Sequence, residues 1–333
     1  TLALSKQNYG SGMNTAVGYH AGSALTSGYL NTIIGSNAAN ALVSGTSNVV
    51  VGARALSSAD GGEQNNIVLG ADAMASVNND MSDGNIAIGL DALTGGTGGI
   101  TQNIGIGQGT LNSTGANNVT GSIAIGYSAL TAVTSGDFNI AIGYAAADAL
   151  TSGYDNVLMG KDAGGAITTA LGNIAIGANA FDAATTGLHS NIAIGGNALG
   201  ATTGADFVIA IGNYACGGGD MTDAADGTII IGAYAGSALT SGERNLAIGY
   251  QAIEDLTDGG QRAFDLNEYA SFEIERFARA SFEVARLRKG KIVSVDKSNV
   301  VVAGALWREI VGRIGSDEYP DVNLQHFFAT ETN

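Results

Sequence analysis

The stretch Asn139-Ile-Ala-Ile-Gly143 recurs word for word at Asn85–Gly89, Asn173–Gly177 and Asn191–Gly195. A short apolar run closed by glycine can cradle a phosphate, end a strand, or form one rung of a repeat, and spacing separates these readings. The closing glycine returns at positions 18, 35, 52, 70, 89, 107, 126, 143, 160, 177, 195, 212, 232 and 249, giving fourteen copies 17–20 residues apart. Asparagine stands four places before the glycine in eleven copies, and Ser122, Val208 and Thr228 replace it in the others. Alanine stands three places after it in thirteen copies, Thr110 being the exception. Many copies run on through Ala-Leu-Thr-Ser-Gly, as at 24–28, 149–153 and 238–242. A register kept this long is the signature of a solenoid whose units stack on one another.

Within a copy, the residues three and one places before the glycine, such as Ile86 and Ile88, share one face of a strand because side chains alternate. The residue between them is apolar but small, as in Ala87, Ala124, Ala141, Ala175, Ala193 and Ala210. A strand apolar on both faces must be covered on both. Each copy therefore reads as two short strands joined by turns. The isoleucines are expected to face the second strand of the same copy, and the alanines a close neighbouring chain, three chains packing around one axis. The asparagine suits a turn, where its amide bonds nearby backbone and stacks on the copies above and below. The glycine suits a tight corner with positive φ. The expected fold is all-β: a repetitive β-roll or β-helix solenoid of about fourteen 17–20-residue coils over residues 1–258, about 65 Å long at ~4.8 Å per layer.

Composition supports a division of the chain. Residues 1–260 hold 4 Lys/Arg against 19 Asp/Glu, whereas residues 261–333 hold 10 against 11; glycines split 47 to 4 at the same point. Residues 259–333 therefore read as a separate, short α/β tail. A first segment with net charge −15 repels phosphates, so nucleic acid is excluded as a partner. No window reaches the ~18 uninterrupted apolar residues of a membrane helix, so no membrane insertion is expected. The opening TLALSKQNYG lacks a charged n-region and a cleavage site, so no signal peptide is read there; starting without methionine, the chain reads as a fragment or a processed product. The single cysteine, Cys216, excludes an intrachain disulfide framework and a cysteine zinc site.

The segments that imitate chemical motifs fall in repeat register. Gly105-Ile-Gly107-Gln-Gly109 lacks the helix that a dinucleotide loop needs, and Gly160-Lys161-Asp162 has Asp where a P-loop needs Ser or Thr. The acidic loops 79–83 and 220–223 match neither an EF-hand nor the calcium-binding nonapeptide, and read as solvated turns. His20 and His189 lack ligand partners at useful spacing, and Cys216 takes a small core position that leucine fills at 56, 93 and 130. No metal and no cofactor are expected. Tyr19, Tyr127, Tyr144 and Tyr250 follow the closing glycine at a tolerant, outward position, where surface or interchain packing competes with stacking on sugars. Threonine sits mainly in the connectors, not in the flat ranks that ice binding needs.

The serial units, among them NTAVGYHAG at 14–22 and NLAIGYQA at 245–252, resemble the repeats of trimeric phage tail-fibre shafts and the β-roll heads of trimeric autotransporter adhesins. The resemblance covers residues 14–253. It implies a rigid homotrimer at a virion or cell surface, serving as a stalk and meeting a receptor or surface glycan. No heptad-rich neck, membrane-anchoring barrel or fibre chaperone is recognised.

From residue 260 the pattern changes. FEIERFARASFEVARLR (272–288) has helical spacing with Glu/Arg pairs, KIVSVDKSNV (291–300) reads as a strand, and ALWREIVGRI (305–314) as a helix. With RAFD (262–265), Tyr269 and YPDVNLQH (319–326), these pieces resemble 3-isopropylmalate dehydrogenase and its β-decarboxylating relatives. The resemblance implies proton transfer by Tyr269 and Lys297, with Asn299 at a neighbouring substrate position. The family's metal-binding aspartates, substrate-clamping arginines and NAD-binding region have no counterpart here, so no catalysis is expected. A joined fragment without function is the favoured reading, and recruitment as a cap on the shaft is the other.

Overall fold

The computed structural model describes residues 4, 12–183, 188–222, 225–253, 270–296 and 302–328. The chain divides into two compact units, Thr1–Gln261 and Arg262–Asn333.

In the first unit each copy contributes one three-residue strand, from Thr15–Val17 to Leu246–Ile248, and the fourteen lie in chain order in one parallel sheet. Register carries from rung to rung: Ile140, Ala141 and Ile142 pair with Val157, Leu158 and Met159. This is the all-β solenoid that the repeat spacing implies, with about thirteen turns between the first rung and the last.

The expected second strand per coil is absent from most of the described coils. It forms only where Ile100–Thr101 lies beside Val119–Thr120, with one isolated bridge between Leu171 and His189. Stacked turns take its place. The residues two and four after the glycine, such as Ala145 and Ala147, have φ of 49° and 52°, as does Phe138 just before its asparagine at 55°. These left-handed positions aim backbone groups along the stack. Ala145 N–H donates to Tyr127 O at 2.8 Å, Ala147 N–H to Ala163 O at 3.0 Å, and Phe138 N–H to Thr120 O at 2.9 Å. Left-handed backbone costs a non-glycine residue about 1–2 kcal/mol; it persists because bonds to the coils above and below fix it.

The faces of the strand are the reverse of the expectation. Ala87, Ala124, Ala141, Ala175, Ala193 and Ala210 lie fully buried inside their own coils. Ile86, Ile88, Ile140 and Ile142 point outward and are half-buried, and Ile34, Ile106 and Ile176 are more open still. The cause is the width of the coil. Its interior is already filled by the residue four after the glycine, which is buried Leu93, Leu130, Phe181 or Leu199. In two coils the inward positions trade volume. Where the strand residue is Leu158 or Ile230, the partner is Gly164 or Gly236, and a Cβ on either glycine would crowd the large side chain at 2.9 or 3.1 Å.

The closing glycine is demanded by stacking. Gly143 has φ 145°, and a Cβ there would run into the carbonyl oxygen of Gly160 in the next coil. The same collision would meet each of the first thirteen closing glycines.

The second unit consists of the helix Ser271–Arg286, the strand Lys291–Asp296, the helix Val302–Glu318 and the strand Asn323–Phe328. Its strands are parallel, with Val293 beside Gln325. The helices bury Ile274, Ala278, Phe282 and Ala285 against Ile310, Val311 and Ile314, as the three-to-four-residue spacing of apolar positions dictates. Arg279 forks onto Glu318 with two bonds of 2.8 Å, and Arg313 reaches Glu275 at 2.7 Å. These guanidinium groups hold both carboxyls below their ordinary range.

Candidate functional site

The first unit carries its polar chemistry inside, as a ladder of amides. Asn139, Asn156, Asn173 and Asn191 are all buried. Asn156 Nδ2 donates to Asn139 Oδ1 at 3.0 Å and to Ala170 O at 2.8 Å, while Asn156 Oδ1 accepts the backbone N–H of Asn173 at 3.0 Å and its amide at 3.1 Å. Asn85 repeats the arrangement between Asn66 and Asn103. The ladder thins where asparagine is replaced. Ser122 Oγ still accepts Asn139 N–H at 3.2 Å, but Val208 offers no side-chain acceptor, and Asn191 Nδ2 has no partner among the described residues. Apart from Asn191 Nδ2, the donors of these amides are spent on holding coils together.

The motif-like segments are likewise structural. Gly105 lies mid-strand in Ile104–Ile106, and Lys161 pairs with Asp162. In the acidic loops Asp80 accepts Gly62 N–H at 3.0 Å, Asp83 accepts Gln64 N–H at 2.8 Å, and Asp220 accepts Thr203 N–H at 3.0 Å. Each carboxylate thus bonds the preceding coil. No group of three His, Cys, Asp or Glu side chains among the described residues is placed to hold a metal. The Cys216 thiol is fully buried, and burial pushes its pKa up to about 12.

Sequence reasoning missed Glu63. It is fully buried in a connector, with Oε2 facing Gly61 N–H at 3.3 Å and Oε1 unpartnered among the described residues. Desolvation raises its pKa, with Asp80 and Asp60 adding to the effect. The column it occupies holds Gly45 and Ser82 in the adjacent coils, so only its breach of the small-residue pattern signalled it.

The tyrosines do not form one site. Tyr19 stacks on His20, Tyr127 and Tyr144 stack on each other at 5.2 Å, and Tyr250 meets Tyr234 edge-on at 6.3 Å. A second stack, Tyr214 with Tyr234 at 5.3 Å, escaped the sequence reading because it stands one place further from the glycine. All six rings are exposed.

The outward face of the sheet is a continuous surface of the first unit. Its two columns hold 28 side chains, of which 26 are Val, Ile, Leu or Met, two are Thr15 and Thr32, and none is charged. Thirteen steps of ~4.8 Å make the face about 60 Å long. About two side chains wide, it covers on the order of 600 Å², the upper end of what monomers expose.

In the second unit Tyr269, Lys297 and Asn299 all lie outside the described residues. What is described next to them is an ion pair: Asp296, nearly fully buried, accepts Arg308 Nε at 2.9 Å, and His326 Nδ1 stands 3.8 Å away. Burial and the nearby Arg308 lower the His326 pKa against the pull of Asp296. Trp307 Nε1 donates to Ser294 Oγ at 3.2 Å. These bonds fix the end of the strand from which Lys297 follows. An open cavity of about 1100 Å³ runs beside this strand, lined by Phe277, Val284, Val293, Val295 and Trp307, with Arg288, Lys289 and Lys291 as its ionisable groups. No helix among the described residues is long and apolar enough to cross a membrane.

The isocitrate/isopropylmalate dehydrogenase family matches residues 232–332. Among curated proteins, the chain is 46% identical over 79 residues to the 3-isopropylmalate dehydrogenase of Caulobacter vibrioides, covering 24% of this chain and 23% of that protein. It is 53% identical over 68 residues to the 3-isopropylmalate dehydrogenase of Vibrio cholerae, covering 20% and 18%. The chain spans less than a quarter of the length of these relatives. Residues 232–332 are thus similar to one segment of a dehydrogenase, a match that begins before the last rung of the parallel β-solenoid, Leu246–Ile248.

Proposed function

We propose that this chain is a structural fibre or adhesin-like stalk, a spacer that associates as a homotrimer and performs no catalysis. The observation that carries this reading is the uncharged outer face of the fourteen-rung sheet. A strip of branched apolar side chains on water is unfavourable at about 25 cal/mol per Å², and a second copy offers a face of matching length and rung spacing. Association therefore runs through the isoleucine columns and not through the buried alanines. The number three, and the placement on a virion or cell surface with a receptor or glycan as target, rest on the resemblance of the repeats to tail-fibre shafts and adhesin heads. Sedimentation equilibrium of the full chain tests the reading: a mass three times that of one chain supports it, and a monomer refutes it.

The dehydrogenase similarity favours a second reading, a truncated or fused relative of 3-isopropylmalate dehydrogenase. An assay with 3-isopropylmalate, NAD and magnesium distinguishes the two, since turnover above background contradicts the stalk. A third reading rests on the exposed Tyr19, Tyr127, Tyr144 and Tyr250 as glycan contacts. It requires glycan-array binding that is lost in Tyr127→Ala/Tyr144→Ala.

A further inference from the structure

We propose that the two stacked tyrosine pairs, Tyr127–Tyr144 and Tyr214–Tyr234, are modification sites at which one-electron oxidation welds neighbouring coils through a carbon–carbon bond. The geometry comes from the solenoid itself. In a parallel, in-register stack, equivalent positions of successive coils lie one above the other. Tyr127 and Tyr144 each follow the closing glycine directly, and Tyr214 and Tyr234 each stand two places after it. The first pair has ring centroids 5.2 Å apart with planes 12° from parallel, and the second 5.3 Å and 4°. Both separations lie within the ordinary ~4.5–7 Å range of stacked aromatics. The rings are 48% and 54% exposed in the first pair and 39% each in the second, so a diffusible oxidant reaches them.

The chemistry needs two phenols held together, and the stack supplies them. Each phenol loses one electron from the ring and one proton from its hydroxyl, giving two tyrosyl radicals whose unpaired spin resides partly on the ring carbons beside the oxygen. One such carbon from each ring forms the new bond. Each ring then loses the hydrogen on that carbon and regains its hydroxyl proton, restoring two phenols. The pair is short by two hydrogen atoms in total. The oxidant is a peroxidase with hydrogen peroxide, which is reduced to two waters. A lone tyrosyl radical must instead wait for a partner from solution. Tyr29 and Tyr154, 48% and 46% exposed, have no aromatic ring beside them among the described residues, so the molecule contains its own controls. The link joins coils of one chain and does not depend on association between chains. Its consequence is a fibre whose coils are stapled at two heights where oxidants are present.

The test treats the full chain, dilute, with a peroxidase and hydrogen peroxide, followed by proteolysis and mass spectrometry. Linked peptides joining Tyr127 to Tyr144 and Tyr214 to Tyr234, each two hydrogens light, with the chain still running as a monomer on a denaturing gel, are the expected result. Tyr144→Phe/Tyr234→Phe keeps both stacks and the fold, checked by circular dichroism, and is expected to lose both linked peptides and the dityrosine fluorescence. Links that involve Tyr29 or Tyr154 as readily, fluorescence unchanged in the double variant, or consumption of the four tyrosines without any coupling would each overturn the proposal.

Discussion

Replacing Asn156 by alanine removes one step of the buried amide ladder without altering either neighbouring strand, and its cost can be worked bond by bond. Asn139 Oδ1 keeps the backbone N–H of residue 156. Asn173 Nδ2 keeps Leu188 O at 2.9 Å. The backbone N–H of Asn173 loses its side-chain acceptor, and Ala170 O loses its donor. One orphaned buried donor and one orphaned carbonyl, at about 1–3 kcal/mol each, give about 2–5 kcal/mol after partial relaxation. Amide hydrogen exchange at Asn173 in the full chain reads this directly. At ~1.4 kcal/mol per decade, exchange should quicken by roughly 30- to 5000-fold, while the Asn85 amide is unchanged, because each coil depends chiefly on its neighbours. Asn156→Ser should lose less, since Ser122 already serves as an acceptor elsewhere in the ladder. An Asn173 amide that exchanges no faster in the alanine variant would show that the ladder decorates the stack and does not hold it.

Two further perturbations probe the interior. Leu158→Ala should destabilise the full chain by about 2–5 kcal/mol in urea unfolding, and adding Gly164→Leu should recover most of it, because the coils with inward Ala87, Ala124 and Ala193 carry Leu93, Leu130 and Leu199 at the partner position. Additive losses would refute the volume trade. Glu63 has a raised pKa in the fold, so its protonated form is the one the fold favours. Its contribution is therefore fully present below the carboxyl's unfolded pKa and is lost as pH rises through the folded value. Glu63→Gln should abolish this slope and raise the midpoint of urea unfolding at neutral pH; a slope that survives in the variant contradicts the assignment.

Period and fold were legible in the sequence because stacking makes the same demand at every rung: a glycine whose Cβ would meet the next carbonyl, and an asparagine whose amide reaches the next coil. The direction of the strand faces was not. Alternation says that Ile86 and Ile88 share a face and Ala87 takes the other, but not which face looks inward. That is decided by what else fills the coil, such as the buried Leu93, six residues on from Ala87. The missing second strand has a similar origin, since left-handed φ at Ala145 and Ala147 is invisible in residue types that rarely adopt it. In the tail, both helices and the strand Lys291–Asp296 were legible from the sequence, but the strand Asn323–Phe328 was not. The pairing of Asp296 with Arg308 joins residues twelve apart, and nothing in either motif alone requires it.

If the isoleucine columns hold chains together, charge placed on them must drive the chains apart. Sedimentation equilibrium is run on the full chain beside Ile125→Lys/Ile142→Lys, which places two charges on the outward face and leaves the coil interior intact. The parent chain should sediment as a trimer and the variant as a folded monomer with unchanged circular dichroism. A monomeric parent, or a variant that remains trimeric, would contradict it.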